Sequence, residues 1–330
     1  MERVDQLRAW VAAILAVDAF DLAPASSDAS FRRYFRATVN GRHYIVMDAP
    51  PSHEDCRPFL HVAGLFRAAG AHVPEVLAQN LDQGFLLLSD LGSTTYLAAL
   101  NEASALELYL AANEALLKIQ LASRAGALPE YDRALLLREM ELFPEWYVAR
   151  HLGRALDADQ RARLTQIFET LLANNLAQPR VWVHRDYHSR NLMVSEPNPG
   201  VLDFQDAVYG PITYDLASLY KDAYIRWDEE QVLDWVIRYW ERAKKHRLPV
   251  DHDFYAFYRD FEWMGVQRHL KVLGIFARLW HRDGKEGYLK DIPLVLDYVK
   301  KTCERYNELR PLLGLLNELE GHAPQVGYSF

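Results

Sequence analysis

The chain has 330 residues, half of them hydrophobic and a quarter charged, so apolar material for a core is ample and its length fits two domains or lobes around a cleft. Acidic residues (45) outnumber Lys plus Arg (37) for a formal net charge of -8, which argues against sequence-independent nucleic-acid binding, a property of basic surfaces. Cys56 and Cys303 lie far apart and form no C-x-x-C pair, the start MERVDQLRAW lacks the pattern of a secretory signal, and no run of about 18 apolar residues occurs; zinc, disulfides and a membrane span are not indicated, and a cytoplasmic location is expected.

In chain order, residues 2–17 show helical spacing, with Leu7, Trp10, Val11, Ile14 and Leu15 on one face. FRRYFRATV and RHYIVM at 31–48 are rich in aromatic and β-branched residues and are joined by Asn40-Gly41, a strong hairpin signal. A helix is predicted over 53–70, ending at Gly70, followed by Pro74, the segment EVLAQN and a buried strand FLLLSDLG that stops at Gly92. Beyond it the pattern turns helical, over 102–125, about 135–151 and 158–177. Short strands VWVH (181–184), NLMV and GVLDF follow, then helices at about 212–222, 229–246, 251–280 and 286–310. This is an α+β chain: a small antiparallel sheet over residues 1–91, a connection near 88–92, and a larger, mostly helical part over 92–330.

The strongest chemical signal is HRDYHSRNLMV followed by VLDFQDA. Asp186 and Asn191 lie five apart in a loop between short strands, and Asp203 ends the next strand twelve residues on. Phosphoryl transfer needs one carboxylate to take the proton of an attacking hydroxyl, and an amide oxygen with a second carboxylate to hold Mg2+ against phosphates. His184, Arg185, Asp186 and Asn191 fill every fixed position of H-R-D-x-x-x-x-N, and Asp203-Phe204 stands where D-F-G would. Asp186 is therefore the candidate base, with Asn191 and Asp203 the candidate metal ligands. His184 is expected to pack and hydrogen-bond within the loop. His184 and His188 do not make a zinc site, because H-x-x-x-H requires a helix and a third ligand. Gly210-Pro211 is expected to form a turn, and Asp215 to cap a helix or brace the catalytic loop.

These residues carry a family resemblance. H-R-D-x-H-x-x-N with the following L-D-F resembles the aminoglycoside phosphotransferase-like kinases over nearly the whole chain. The resemblance implies a protein-kinase-like two-lobed fold, ATP and Mg2+ as cofactors, a nucleotide-binding lobe at 1–91 and a catalytic, substrate-binding lobe at 92–330. The absence of A-P-E and of a long segment after Asp203 sets the chain apart from protein kinases. It has no G-x-G-x-x-G; in its place SSDASFRRYFR offers Ser26, Ser27 and Ser30 to the phosphates. The third strand, HYIVMDAP, has Met47 where a phosphate-binding Lys is expected. An arginine of the neighbouring strand is expected to take its place, Arg33 on one face or Arg32 and Arg36 on the other, with Arg33 a candidate nucleotide contact. Backbone at Ser89, Asp90 and Leu91 would hold adenine.

Six segments, from SDASFRRYFR to QRHLKVLGIFARLWHRDGKEGYLKDIP, are together similar to a subgroup that phosphorylates the anomeric hydroxyl of an amino sugar recovered from peptidoglycan and hands the product to a nucleotidyltransferase. For such a substrate the candidate contacts are His188, Asp206, Tyr209, Arg226, Arg268 and Lys271, with Arg226, Arg268 or Lys271 suited to a sugar carboxylate. An aminoglycoside, choline or homoserine kinase, and a nucleotide-binding scaffold without turnover, are the alternatives. The missing Lys favours a scaffold; the intact Asp186, Asn191 and Asp203 favour catalysis.

Overall fold

A computed structural model describes residues 2–27 and 31–321. The chain divides into two units, one running to Ile119 and taking in Arg190–Ala207, the other made of Gln120–Ser189 and everything from Val208 onward.

The first unit is built on a five-stranded antiparallel sheet. Its strands are β1 (Asp21–Ser27), β2 (Arg33–Val39), β3 (Arg42–Asp48), β4 (Val76–Asn80) and β5 (Phe85–Ser89), in the order β1-β2-β3-β5-β4. The predicted hairpin is present: Asn40 and Gly41 both take positive φ (49° and 75°), as a two-residue turn between twisted strands requires. Helix α1 (Arg3–Leu15) presses Leu7 and Val11 against Ala37, Val46, Phe85 and Leu87, all buried. Trp10 joins them, its ring 5.8 Å from Phe85, whereas Ile14, expected on the same face, is exposed. Helix α2 (Arg57–Ala68) starts four residues later than predicted, with Pro58 in its first turn, where the missing N–H would have had no partner. Helices α3 (Tyr96–Ala99) and α4 (Ala105–Leu121) follow.

The second unit is helical: α5 (Arg133–Met140), α6 (Ala158–Ala177), α7 (Tyr214–Tyr220), α8 (Glu229–Lys245), α9 (Phe254–His281), α10 (Ile292–Arg305) and α11 (Arg310–Glu320). Helix α9 has 28 residues and is buried all round from Phe261 to Gly274, the mark of a helix enclosed by others. The helix predicted over 135–151 is instead α5 followed by a π-helical stretch, Phe143–His151. Pro144 cannot continue an α ladder, and α9 passes the backbone of Leu142 so closely that a Cβ on Gly274 would lie 2.4 Å from the Leu142 carbonyl. Gly274→Ala is accordingly expected to destabilise the fold by about 1–3 kcal/mol or more through overpacking, read as a lowered thermal midpoint. The predicted 286–310 helix is divided into a 3-10 turn (Glu286–Asp291) and α10, and α11 follows; prolines open both α10 and α11.

Two small sheets complete the structure. In the second unit β6 (Arg180–Val183) pairs with a strand not foreseen, which completes a two-stranded sheet over Val208–Pro211. Gly210-Pro211 is thus part of a strand and not a turn, with Pro211 at the strand's last position, opposite Arg180. In the first unit β7 (Leu192–Met193) pairs with β8 (Gly200–Val201); the strand Val208–Pro211 is β9. No helix among the described residues is long and apolar enough to cross a membrane.

Candidate active site

The motif residues fall in both units, and each group has its own geometry. In the second unit β6 delivers the chain to His184, Arg185 and Asp186. Arg185 takes φ = 77°, a left-handed conformation that needs support in a residue with a Cβ. That support comes from Asp215, the second residue of α7, whose carboxylate accepts the N–H of His184 (2.7 Å) and of Arg185 (3.0 Å). The buried His184 ring stays within the loop, where its Nδ1 accepts the Asp186 N–H at 3.2 Å. On the far side of Asp186, Asp222 accepts the N–H (2.9 Å) and hydroxyl (2.5 Å) of Ser189. Two buried carboxylates, one after the other along the α7 segment, therefore hold the loop on either side of the candidate base. The bracing expected of Asp215 is present; the matching bonds of Asp222 have no counterpart in the motif spacing.

Asp186 keeps a side chain 40% exposed among cations. Arg268 on α9 is buried, donates through Nε to Ser218 Oγ at 2.6 Å and holds Nη2 3.7 Å from Asp186 Oδ1, while its Nη1 has no hydrogen-bond partner among the described residues. Ser218 in turn donates to the Arg185 carbonyl at 3.3 Å. Lys271, one turn further along α9, lies 3.1 Å from both Glu139 Oε1 and the Tyr214 hydroxyl. Glu139 also takes Arg185 and the Tyr131 hydroxyl. Desolvation of its partly buried carboxyl would push Asp186 up; Lys271, Arg268, His188 and Arg185 outweigh it and hold it well below the usual carboxylate range. Burial pushes Asp215 up to about 7, against the two backbone N–H groups it accepts.

Removing one of those cations has a calculable sign. In Arg268→Met the burial of Asp186 is less compensated, so its pKa rises and the acidic limb of the kcat/KM profile is expected to move to higher pH. An acid limb unchanged from that of the unmodified chain would show that Arg268 does not set this charge.

In the first unit the β7–β8 ribbon sets the metal candidates opposite each other. Leu192 pairs with Val201, the Leu202 N–H donates to the Asn191 carbonyl at 2.9 Å, and Asn191 Nδ2 lies 3.3 Å from Asp203 Oδ2. Asp203 takes φ = 62°, and Gln205 Nε2 donates to its other oxygen at 2.7 Å. Phe204 is buried against Phe59 (4.9 Å) and Phe66 (5.9 Å) of α2, which anchors the turn. No group of three or more His, Cys, Asp or Glu suited to a metal occurs among the described residues. An ion here would have one carboxylate and one amide oxygen from this ribbon, with phosphate and water for the rest. That hard, sparse oxygen set fits magnesium. Gln205, which stands where D-F-G has glycine, leaves its buried Oε1 without a hydrogen-bond partner among the described residues.

The candidate nucleotide residues are in the same unit. Ser26 and Ser27 end β1, paired in register with Tyr34 and Arg33; Ser30 lies outside the described residues. Met47 is buried. Arg33 shares the buried carboxylate of Asp48 with Arg3, at 2.5 and 2.7 Å. Arg36 forks onto Asp90 (2.6 and 3.1 Å) and reaches the Gly92 carbonyl at 2.9 Å, so this arginine braces the segment after β5. The Ser89 N–H is committed to the Glu75 carbonyl, and Leu91 is buried.

The candidate substrate residues are dispersed. His188, Arg268 and Lys271 all act on the charge of Asp186. Arg226 is exposed and paired with Asp297 at 2.5 Å. Tyr209 lies in β9 with the Arg180 guanidinium 5.2 Å from its ring, and Asp206 is an exposed residue of the first unit. Tyr224, absent from the sequence-based candidates, has its ring 5.4 Å from that of His188.

Comparison with known proteins shows the family of the chain. Residues 21–250 match the family described as "Phosphotransferase enzyme family". A Pseudomonas aeruginosa protein named N-acetylmuramate/N-acetylglucosamine kinase is 52% identical, over 98% of this chain and 97% of the relative. A Neisseria meningitidis serogroup B protein of the same name is also 52% identical, over the full length of both chains. Among solved structures, choline kinase LicA from Streptococcus pneumoniae superposes with a TM-score of 0.65 at 13% identity, over 90% of this chain and 99% of that one. The fold is therefore the protein-kinase-like α+β fold that the sequence led us to expect.

Proposed function

The chain belongs to the phosphotransferase enzyme family, and we propose that its reaction is the ATP-dependent phosphorylation of the anomeric hydroxyl of N-acetylmuramate or N-acetylglucosamine. The observation that carries the reading is 52% identity, over essentially the whole chain, to two relatives that bear that name. The intact Asp186, Asn191 and Asp203 support turnover over a scaffold role.

In the proposed reaction the sugar oxygen bonds to the γ-phosphorus, and the bond from that phosphorus to the β,γ-bridging oxygen breaks with its electron pair leaving on ADP. Asp186 takes the proton of the sugar hydroxyl. A carboxylate held so far toward its charged form is a weak proton sink; its main work is to orient the hydroxyl and to receive the proton late, as suits a loose phosphoryl transition state. Asn191 and Asp203 would hold Mg2+, which when bound neutralises charge on the phosphate oxygens. Asp215 and Asp222 keep the loop's backbone N–H groups engaged, so Asp186 is positioned before substrate arrives.

Residues 1–91 would bind the nucleotide. The serines at 26, 27 and 30 and Arg33 are assigned to the phosphates, and Ser89, Asp90 and Leu91 to adenine; because the Ser89 N–H is already engaged, reading of the base falls to the backbone of Asp90 and Leu91. Residues 92–330 would supply the base and the sugar contacts, among them His188, Asp206, Tyr209, Arg226, Arg268 and Lys271. The two cysteines are unpaired and buried, which supports a cytoplasmic setting for recycling of peptidoglycan sugars. The product, a sugar 1-phosphate, is the kind of compound a nucleotidyltransferase consumes.

The test is ADP release with ATP and Mg2+ against N-acetylmuramate, N-acetylglucosamine, an aminoglycoside, choline and no acceptor. Turnover on the two amino sugars, with a phosphate labile to mild acid as product, is expected. Turnover only on another acceptor would overturn the substrate and leave the phosphotransfer chemistry intact.

A further inference from the structure

A row of aromatic rings begins at the catalytic loop. The His188 imidazole, which helps keep Asp186 charged, meets the Tyr224 ring edge-on at 5.4 Å and 74°. Tyr224 lies 6.0 Å from Phe276 on α9, and Phe276 lies 5.3 Å from Tyr288 in the 3-10 turn. Phe276 is buried, while His188, Tyr224 and Tyr288 remain part-exposed. The row is thus buried at Phe276 and partly exposed at its other three residues.

Tyr224 is also fixed in place relative to the base. Asp222 Oδ1 accepts the Tyr224 N–H at 3.0 Å, and the same carboxylate, through Oδ2, accepts both donors of Ser189. One buried group therefore couples the backbone under the Tyr224 ring to the backbone three residues past Asp186. A ring that meets the catalytic loop at His188, with a phenyl ring packed near it and its backbone tied to the loop through Asp222, matches what binds a small polyol: apolar surface with a few placed polar groups.

We propose that Tyr224 is the acceptor platform: the C–H face of a pyranose packs on its ring, backed by Phe276, and this contact presents the anomeric hydroxyl to Asp186. The inference rests on the amino-sugar reading above and adds the residue that selects for a sugar ring. A platform used for binding contributes to the ground state and the transition state alike, so its loss appears in KM more than in kcat.

The experiment uses the full chain with Tyr224→Ala and Tyr224→Trp, measured for KM of N-acetylglucosamine, N-acetylmuramate and ATP, for kcat and for thermal midpoint. Tyr224→Ala is expected to raise the sugar KM about tenfold or more with the ATP KM and the midpoint little changed, and Tyr224→Trp to restore most of the affinity. An unaltered sugar KM in Tyr224→Ala, in a protein whose unmodified form phosphorylates both sugars, would overturn the platform and leave the function standing. Parallel rises in sugar and ATP KM with a lowered midpoint would overturn it as well, by showing a structural role. If the unmodified chain turns over choline and neither sugar, the amino-sugar reading fails first and the platform falls with it; a ring that serves choline would be acting on a cation.

Discussion

Asp186→Asn is expected to lower kcat by about 10²–10⁴-fold, the range typical of a lost general base, with nucleotide affinity retained. The substitution preserves shape and removes the one charge that Arg185, His188, Arg268 and Lys271 together stabilise. Chemistry fails because an amide cannot receive the hydroxyl proton and because the hydroxyl loses the acceptor that aligns it. Nucleotide binding survives because the residues assigned to it lie in the other unit, around Arg33, Arg36 and Asp90. Single-turnover phosphoryl transfer and ADP titration of the variant separate the two. Turnover within a few-fold of the unmodified enzyme would remove Asp186 from its assigned role; loss of ADP binding would show that its charge organises more than its own loop.

The approach of Asn191 to Asp203 was foreshadowed by the motif, because the proposed chemistry dictates both residue type and spacing along a short segment. The β7–β8 ribbon explains the twelve-residue interval: two antiparallel strands and a turn return the chain so that Asp203 comes within 3.3 Å of Asn191. The hairpin at Asn40-Gly41 and the face of α1 were legible for the same local reason, a period or a turn residue. What escaped were features made by residues distant in sequence. Asp222 meets Ser189 across 33 positions, and Tyr224 meets His188 across 36; no single helix or strand joins either pair, so no local period reveals the contact. The sequence reading gave Gly210-Pro211 its usual role in turns, but pairing with β6 decides their conformation, and the position of Pro211 at the end of the strand makes that tolerable. The long 135–151 helix failed at Pro144 and at the close passage of α9 over Leu142, the second of which no local pattern reveals. Charge was misleading in a different way. Arg33, Arg36 and Arg226 read as free cations in a sequence, yet each is matched to a carboxylate in the fold.

Asp215→Ala is expected to damage both stability and activity, with an effect second only to loss of the base. The buried N–H groups of His184 and Arg185 would lose their acceptor, at about 1–3 kcal/mol for each, out of a total stability on the order of 5–15 kcal/mol. The left-handed backbone at Arg185 would also lose what holds it, and displacement of a reacting group by about 1 Å is enough to cost about 100-fold in rate. The pH dependence identifies the cause. Burial raises Asp215 to about 7 in the folded chain, above its unfolded value. A raised group contributes its stability fully below the unfolded pKa and loses it as pH rises through the folded one. Measured against the unmodified protein, the deficit of the alanine variant should therefore be largest in acid and shrink as pH rises toward 7. Asp186, depressed by its cations, works in the opposite sense, and because its charge helps raise Asp215 the comparison is repeated in an Asp186→Asn background, where that contribution is absent from both proteins. A deficit independent of pH between about 4 and 7 would mean that Asp215 is not a raised, buried acid. A thermal midpoint equal to that of the unmodified protein would mean that the loop's N–H groups find another acceptor, and that Asp215 is not what positions the base.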